Sequence, residues 1–309
     1  MRLAPPYDGR SRTCCHLETN IELTISETKL NARTADGALA SVFGALRPGE
    51  VVPHMRIGLG QVQFIDPYGM CCLWTALHHL RARATDLSLD LPMNPDVQNY
   101  MERIGFLALI ERDGTRLTND LTMRSEHPSD SDVLLEMTAI SGEGDVRLVA
   151  ARILDRVERI IHAQLSYSPQ GVASITTTLT ETCRNVTDHS ESVGVACAQS
   201  YTNVQRERFV VIAVADDGIG IRSSLATRYP EAPSWTHGEA IELALKKTCS
   251  RLPDRGLGLY QITQIVNRHR GSLHIRSGDT HLLLRDRPVC FTGGYFPGTQ
   301  LCITLTAHT

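Results

Sequence analysis

No apolar run in these 309 residues approaches the roughly 18 that a membrane helix needs. The start, Met1 to Arg12, is polar and contains prolines, without an apolar core of the signal-peptide kind, so a cytoplasmic protein is expected. Neither sign of charge is in excess: 31 Lys plus Arg stand against 34 Asp plus Glu, a weak overall field that gives no electrostatic reason to expect nucleic acid as a partner. The nine cysteines form no CxxC pair and no Cys/His set with zinc spacing. They are scattered or side by side (Cys14-Cys15, Cys71-Cys72), and an odd number inside apolar segments fits reduced, buried thiols. Cys14-Cys15-His16 makes a poor metal site, because adjacent ligands seldom converge on one ion without others nearby. There is no Gly-Lys-Ser/Thr P-loop and no internal repeat. Nor is there a Rossmann fingerprint: after Gly256-Leu257-Gly258, Tyr260 and Gln261 stand where a third glycine is needed.

What is present reads as a soluble α/β protein of two domains, with 42% apolar and 21% charged residues and enough length for two cores. Residues 1–15 look like a loose tail. The alternation of Ile21, Leu23 and Ile25 predicts a strand, and a second apolar segment covers 55–65 after a turn-rich stretch through Pro48-Gly49. Asp66-Pro67 opens a helix with Met70, Leu73, Trp74, Leu77 and Leu80 on one stripe. A strand at 87–91, a helix at 95–105 and an apolar piece at 106–110 complete a first domain over 16–112. Residues 113–144 turn polar and read as a linker, within which 133–140 can add a strand to either side. Asp145 then caps a helix carrying Val149, Ile153, Val157, Ile160 and Ile161, and opens a second domain over 145–309.

The second domain is organised around Asp216-Asp217-Gly218-Ile219-Gly220-Ile221, directly behind the apolar run at 209–215. That run lacks alternation and is rich in β-branched residues, so it predicts a strand buried on both faces, with the carboxylates at its end. Upstream, 174–189 has helical period: Ile175, Leu179 and Val186 share one stripe, while Glu181, Asn185 and Asp188 fall together elsewhere, flanked by His189. Such a carboxylate and amide suit activation of a water and an oxygen ligand for Mg²⁺, although the same spacing also describes a solvated helix face. Downstream, Arg255-Gly256-Leu257-Gly258-Leu259 precedes a helix with Ile262, Ile265 and Val266, where backbone N–H groups can hold phosphate. The interval 222–254, with Pro230, Pro233 and Trp235, reads as a closing lid or as a plain helical excursion. Strands are expected at 271–275 and 297–305.

With these three motifs in this order, 145–309 resembles the GHKL ATP-binding family of gyrases, heat-shock chaperones, histidine kinases and mismatch-repair ATPases. The resemblance implies a Bergerat-type α/β sandwich, two-layered with a mixed sheet and helices on one face, binding ATP and Mg²⁺. It implies that Glu181 is the catalytic carboxylate, Asn185 the magnesium ligand, and Asp188 and His189 pocket residues. Asp216 would accept from the adenine amino group, Gly218 and Gly220 would lie beneath the ring, and 222–254 would be the lid. The loop of Arg255, Gly256, Leu257, Gly258 and Leu259 would hold phosphate, and Gly298-Thr299 would match the family's closing pair.

Residues 16–112, through Phe64-Ile65-Asp66-Pro67-Tyr68-Gly69-Met70 and 100–106, resemble a STAS domain, the fold of anti-anti-sigma factors. Tyr68 stands where many members carry a phosphorylatable serine. The expected function is slow ATP hydrolysis acting as a nucleotide-dependent switch for a protein partner, itself STAS-type or sigma-factor-like, with homodimerisation as a plausible assembly. The alternatives are a serine/threonine kinase of the anti-sigma-factor type and an ATP-sensing module without turnover.

Overall fold

Asp66 starts the helix that joins the molecule together: its side chain accepts from Gly69 N at 2.8 Å, with Pro67 in the first turn. The computed structural model describes residues 20–47, 49–118, 133–156, 168–246 and 258–306. The first part contains β1 (Ile21–Thr24), β2 (Lys29–Leu30), α1 (Ala35–Gly44), β3 (Val52–Gly58), β4 (Phe64–Ile65) and α2 (Pro67–Arg81). It continues with β5 (Ala84–Asp90), α3 (Pro95–Arg103), α4 (Phe106–Arg112) and β6 (Arg116–Leu117). The second contains β7 (Val133–Ile140), α5 (Glu143–Arg156), α6 (Pro169–Asn185), β8 (Gly194–Thr202) and β9 (Arg208–Asp216). After these come α7 (Gly220–Ala226), α8 (His237–Ala244), α9 (Gly258–Arg268), β10 (Ser272–Leu284) and β11 (Pro288–Thr306).

The protein is α/β as expected, with a parallel sheet in the first part and, where a mixed sheet was expected in the second, an antiparallel one. The order β1-β3-β5-β6 is parallel throughout, and β2 pairs with β4, also parallel. The order β10-β11-β9-β8-β7 is antiparallel throughout. The short connections between β8 and β9 and between β10 and β11 allow only hairpins. Within the segment read as a linker, 133–140 forms the anticipated strand, β7, which extends the antiparallel sheet, and β6, which was not foreseen, extends the parallel one. Residues 106–110 are helical, and the stretch before Pro48 contains α1, which the sequence reading did not foresee.

β9 shows how the second sheet is covered. Val210, Ile212 and Val214 enter one core with Ile175, Leu179, Ile262 and Val266, under α5, α6 and α9. The alternate residues Val211, Ala213 and Ala215 enter a second core with Met70, Leu73, Trp74 and Leu77 of α2. Helices therefore cover both faces, where the family resemblance had them on one. The residues facing α2 are small, and Cys71 Sγ lies 3.6 Å from Cys197 Sγ of β8, both fully buried. Burial lifts the Cys71 thiol well above its ordinary range, so it is a packing group and not a nucleophile. Helix α2 lies between the two sheets and buries Tyr68, Cys71, Cys72, Thr75 and Ala76 as well as the predicted stripe.

A buried ion pair fastens α1 to the same sheet. Asp36 accepts from Tyr68 Oη at 2.7 Å and lies 3.1 Å from Arg276 Nη1 and 2.8 Å from His281 Nδ1. Burial works to raise the Asp36 carboxyl, but His281, Arg276, His274 and Tyr68 outweigh it and hold it below the usual carboxylate range. Arg276 is fully buried, sits 4.7 Å over the Phe296 ring and donates to Gly294 O. Asp36→Ala should cost about 3–5 kcal/mol in urea unfolding, because Arg276 loses its counter-charge, and Asp36→Leu with Arg276→Met should recover most of it. A single-variant cost below about 1 kcal/mol would contradict this assignment.

Candidate functional site

The end of α6 and the start of α9 meet. A Cβ placed on Gly258 would lie 3.3 Å from both Glu181 Oε2 and Asn185 Oδ1, which puts the predicted carboxylate, amide and glycine loop side by side. Glu181 Oε1 is held by Arg184 Nη1 at 2.7 Å, leaving Oε2 on the Gly258 side. Asn185 Nδ2 is buried without a hydrogen-bond partner among the described residues. Which end of the amide faces the open side follows from the bonds available to it, so Oδ1 can be presented by rotation of the side chain.

Beyond Asn185 the helix widens into a single π-helical turn, Val186–Ser190, which carries Asp188 and His189. It ends at Glu191 in the left-handed region, φ 58°. This turn connects the two groups of predicted residues. Ile219 N donates to Ser190 O at 2.9 Å, and a Cβ on Gly218 would collide with that carbonyl, so only glycine allows the approach. Gly220 begins α7 at φ 74°, and Ile221 N donates to Ser277 Oγ at 2.9 Å.

Asp216 stands at the last position of β9. Its Oδ1 accepts from Gly218 N at 3.0 Å and from Thr299 N at 3.2 Å, which gives Thr299 a role in holding the carboxylate. Among the described residues no donor reaches Oδ2. Burial pushes this carboxyl up to about 7, against the opposing pull of the Gly218 and Thr299 N–H groups. Gln300 Nε2 supports the strand end, donating to Asp216 O at 3.1 Å and Pro297 O at 2.8 Å.

The predicted residues thus form two sets, Glu181 with Asn185 and Gly258, and Asp216 with Gly218, Gly220 and Thr299, joined by the turn that holds Asp188 and His189. Leu259 shares a small apolar cluster with Ile221, Leu225, Ala232, Ala240 and Ala244, which links α9 to α7 and α8. Arg255, Gly256 and Leu257 lie outside the described residues, as do Cys14-Cys15-His16 and 247–254 of the expected lid. The described part of that interval is docked: α8 carries a Thr236/Glu239 capping box and packs on β10.

Sequence reasoning missed His78, Ser192 and Ser277. His78 Nδ1 lies 3.0 Å from Asp217 Oδ2, and Ser192 Oγ donates to Asp217 Oδ1 at 2.6 Å. No local pattern marks these contacts, which bridge 139 and 25 positions of chain. Also unforeseen is the grouping of Asp36, His274 and His281, whose donor atoms lie within 4.8 Å of one another. Arg276 already balances Asp36 there, and burial pushes His274 down to about 4, so it is neutral near pH 7 and its 3.7 Å approach to Asp36 is not an ion pair. A dication would place uncompensated positive charge beside a buried guanidinium, so the group reads as part of the interface between α1 and the sheet. Among the described residues no helix is long and apolar enough to cross a membrane. No family model matches the chain, and neither does a curated protein or a solved structure.

Proposed function

We infer that the chain binds Mg-ATP where the end of α6, its π-helical turn, the end of β9 and the start of α9 come together. Slow hydrolysis there serves as a nucleotide-dependent switch for protein partners in the cytoplasm. The observation that carries the reading is Asp216: a buried carboxylate with one oxygen clamped by two backbone N–H groups and the other unengaged. An exocyclic amino group is the ligand such an oxygen suits, and it distinguishes adenine from guanine, which has a carbonyl there. Asn185 Oδ1 would hold Mg²⁺, which when bound neutralises phosphate charge. Glu181 Oε2 orients a water and takes its proton, while the N–H groups at the start of α9 bind phosphate.

The kinase alternative lacks a substrate hydroxyl at the position the STAS resemblance suggests. Tyr68 Oη is fully buried and donates to Asp36. Transfer to a separate partner protein would appear as label from γ-labelled ATP on that protein, and hydrolysis as free phosphate without labelled protein.

The raised Asp216 carboxyl gives a test of the site. In the free protein Asp216 stays protonated up to about pH 7, whereas the carboxyl of the unfolded chain ionises near 3.8. Its contribution to stability therefore falls as pH rises through that window and is constant above it. A ligand N–H donated to Oδ2 favours the ionised form, so ATP affinity should rise about tenfold from pH 6 to pH 8, with proton release near pH 7. Calorimetry in buffers of different ionisation heat measures both, with Asp216→Asn as the reference for titration of the phosphates. A pH dependence identical in parent and variant would remove Asp216 from the site.

A further inference from the structure

Asp217, the second carboxylate of the turn, faces the first part of the chain. Its Oδ2 meets His78 Nδ1 at 3.0 Å, and its Oδ1 accepts from Ser192 Oγ at 2.6 Å, whose own N–H donates to Ser190 Oγ at 3.0 Å. Ser190 belongs to the π-helical turn that Gly218 touches, so these bonds close a ring around the backbone that aims Asp216. His78 is itself fixed: the Trp74 ring stacks on it at 4.8 Å and 20°, and Trp74 Nε1 donates to Asp113 Oδ2 at 2.8 Å. Both aromatic residues ride on α2, which is buried between the two sheets and reaches back to the Asp66 cap. Burial works to raise the Asp217 carboxyl, but His78 and Ser192 outweigh it, and the hydrogen bond to Asp217 raises His78 in turn.

We propose that His78 is a positioning residue through which α2 of the N-terminal part sets the affinity and adenine selectivity of the nucleotide site. This rests on the ATP-binding reading above. Contact with Asp217 holds the 216–218 turn in the geometry that presents Asp216 Oδ2, so anything that shifts α2 changes adenine recognition and leaves phosphate recognition alone. A partner bound to the N-terminal part acts on the nucleotide by that route, and by reciprocity the nucleotide acts on the partner.

Equilibrium affinities of the full chain for Mg-ATP, Mg-GTP and inorganic triphosphate test the proposal in the parent, His78→Ala, His78→Asn and Ser192→Ala. His78→Ala should weaken ATP binding about tenfold, narrow the ATP-to-GTP preference by the same factor and leave triphosphate affinity unchanged. His78→Asn, whose amide can donate from near the position of Nδ1, should recover most of the preference. Ser192→Ala removes the other bond to Asp217 and should narrow the preference too, which keeps the proposal testable if His78→Ala does not fold. A parent that prefers ATP with either alanine variant matching it overturns the role of His78, as does an equal loss for all three ligands. A parent that binds no adenine nucleotide overturns this proposal and the ATP reading together.

Discussion

Asp216→Asn should lower ATP affinity by about 10- to 150-fold, the range set by losing a hydrogen bond to a charged group worth roughly 1.5–3 kcal/mol. The geometry makes this isosteric change severe. Gly218 N and Thr299 N both point at Oδ1, so the amide must place its oxygen there and its Nδ2 where Oδ2 stood. A donor then faces the adenine amino group, itself a donor. The fold should survive, because both backbone contacts are kept, and the variant should be more stable than the parent above pH 7. Holding an ionised carboxylate at that buried position costs roughly 4 kcal/mol, from the rise to about 7 at 1.36 kcal/mol for each pH unit. A variant that binds ATP within twofold of the parent would remove the adenine assignment.

Glu181→Ala should keep nucleotide affinity within a few-fold and lower phosphate release by about 10²–10⁴-fold, the usual contribution of a positioned general base. Arg184 holds Oε1 at 2.7 Å and fixes the carboxylate, so Oε2 meets the start of α9 beside Asn185. Arg184→Ala should then reduce turnover less than Glu181→Ala does, because it loosens the base without deleting it. Unchanged phosphate release in Glu181→Ala would leave a nucleotide sensor without chemistry at this carboxylate.

The elements that came directly from the sequence are those whose signal is local. The apolar run before Asp216 became β9, buried on both faces, because each residue in turn faces a different core. The 3.6-residue period from Ile175 to Val186 became α6, with Glu181 and Asn185 on the side that meets Gly258. Asp66-Pro67 marked the start of α2 to the residue. What escaped was non-local. Nothing near Asp36 announces Arg276, and nothing near His78 announces Asp217, since each pair is brought together only when α1 and α2 settle on the second sheet. The same packing explains why α2 is buried all round although its sequence showed one stripe, and why the sheet carries helices on both faces. The β10–β11 arm also ran longer than predicted: past Thr299 toward its tip, β11 pairs with β10 alone, and Val289, Phe291 and Tyr295 are exposed. The outer part of β11, 288–295, is exposed on both faces and carries no alternation for periodicity to mark, whereas β10 there buries Thr280, Leu282 and Leu284 on one face.

Calorimetric titration of Mg-ATP and Mg-GTP into the full chain at pH 8 tests the central claim most directly. The site described predicts one ATP per chain and GTP weaker by at least about tenfold, because a guanine carbonyl would face the Asp216 carboxylate. Equal affinity for the two nucleotides, or binding of neither, would contradict it.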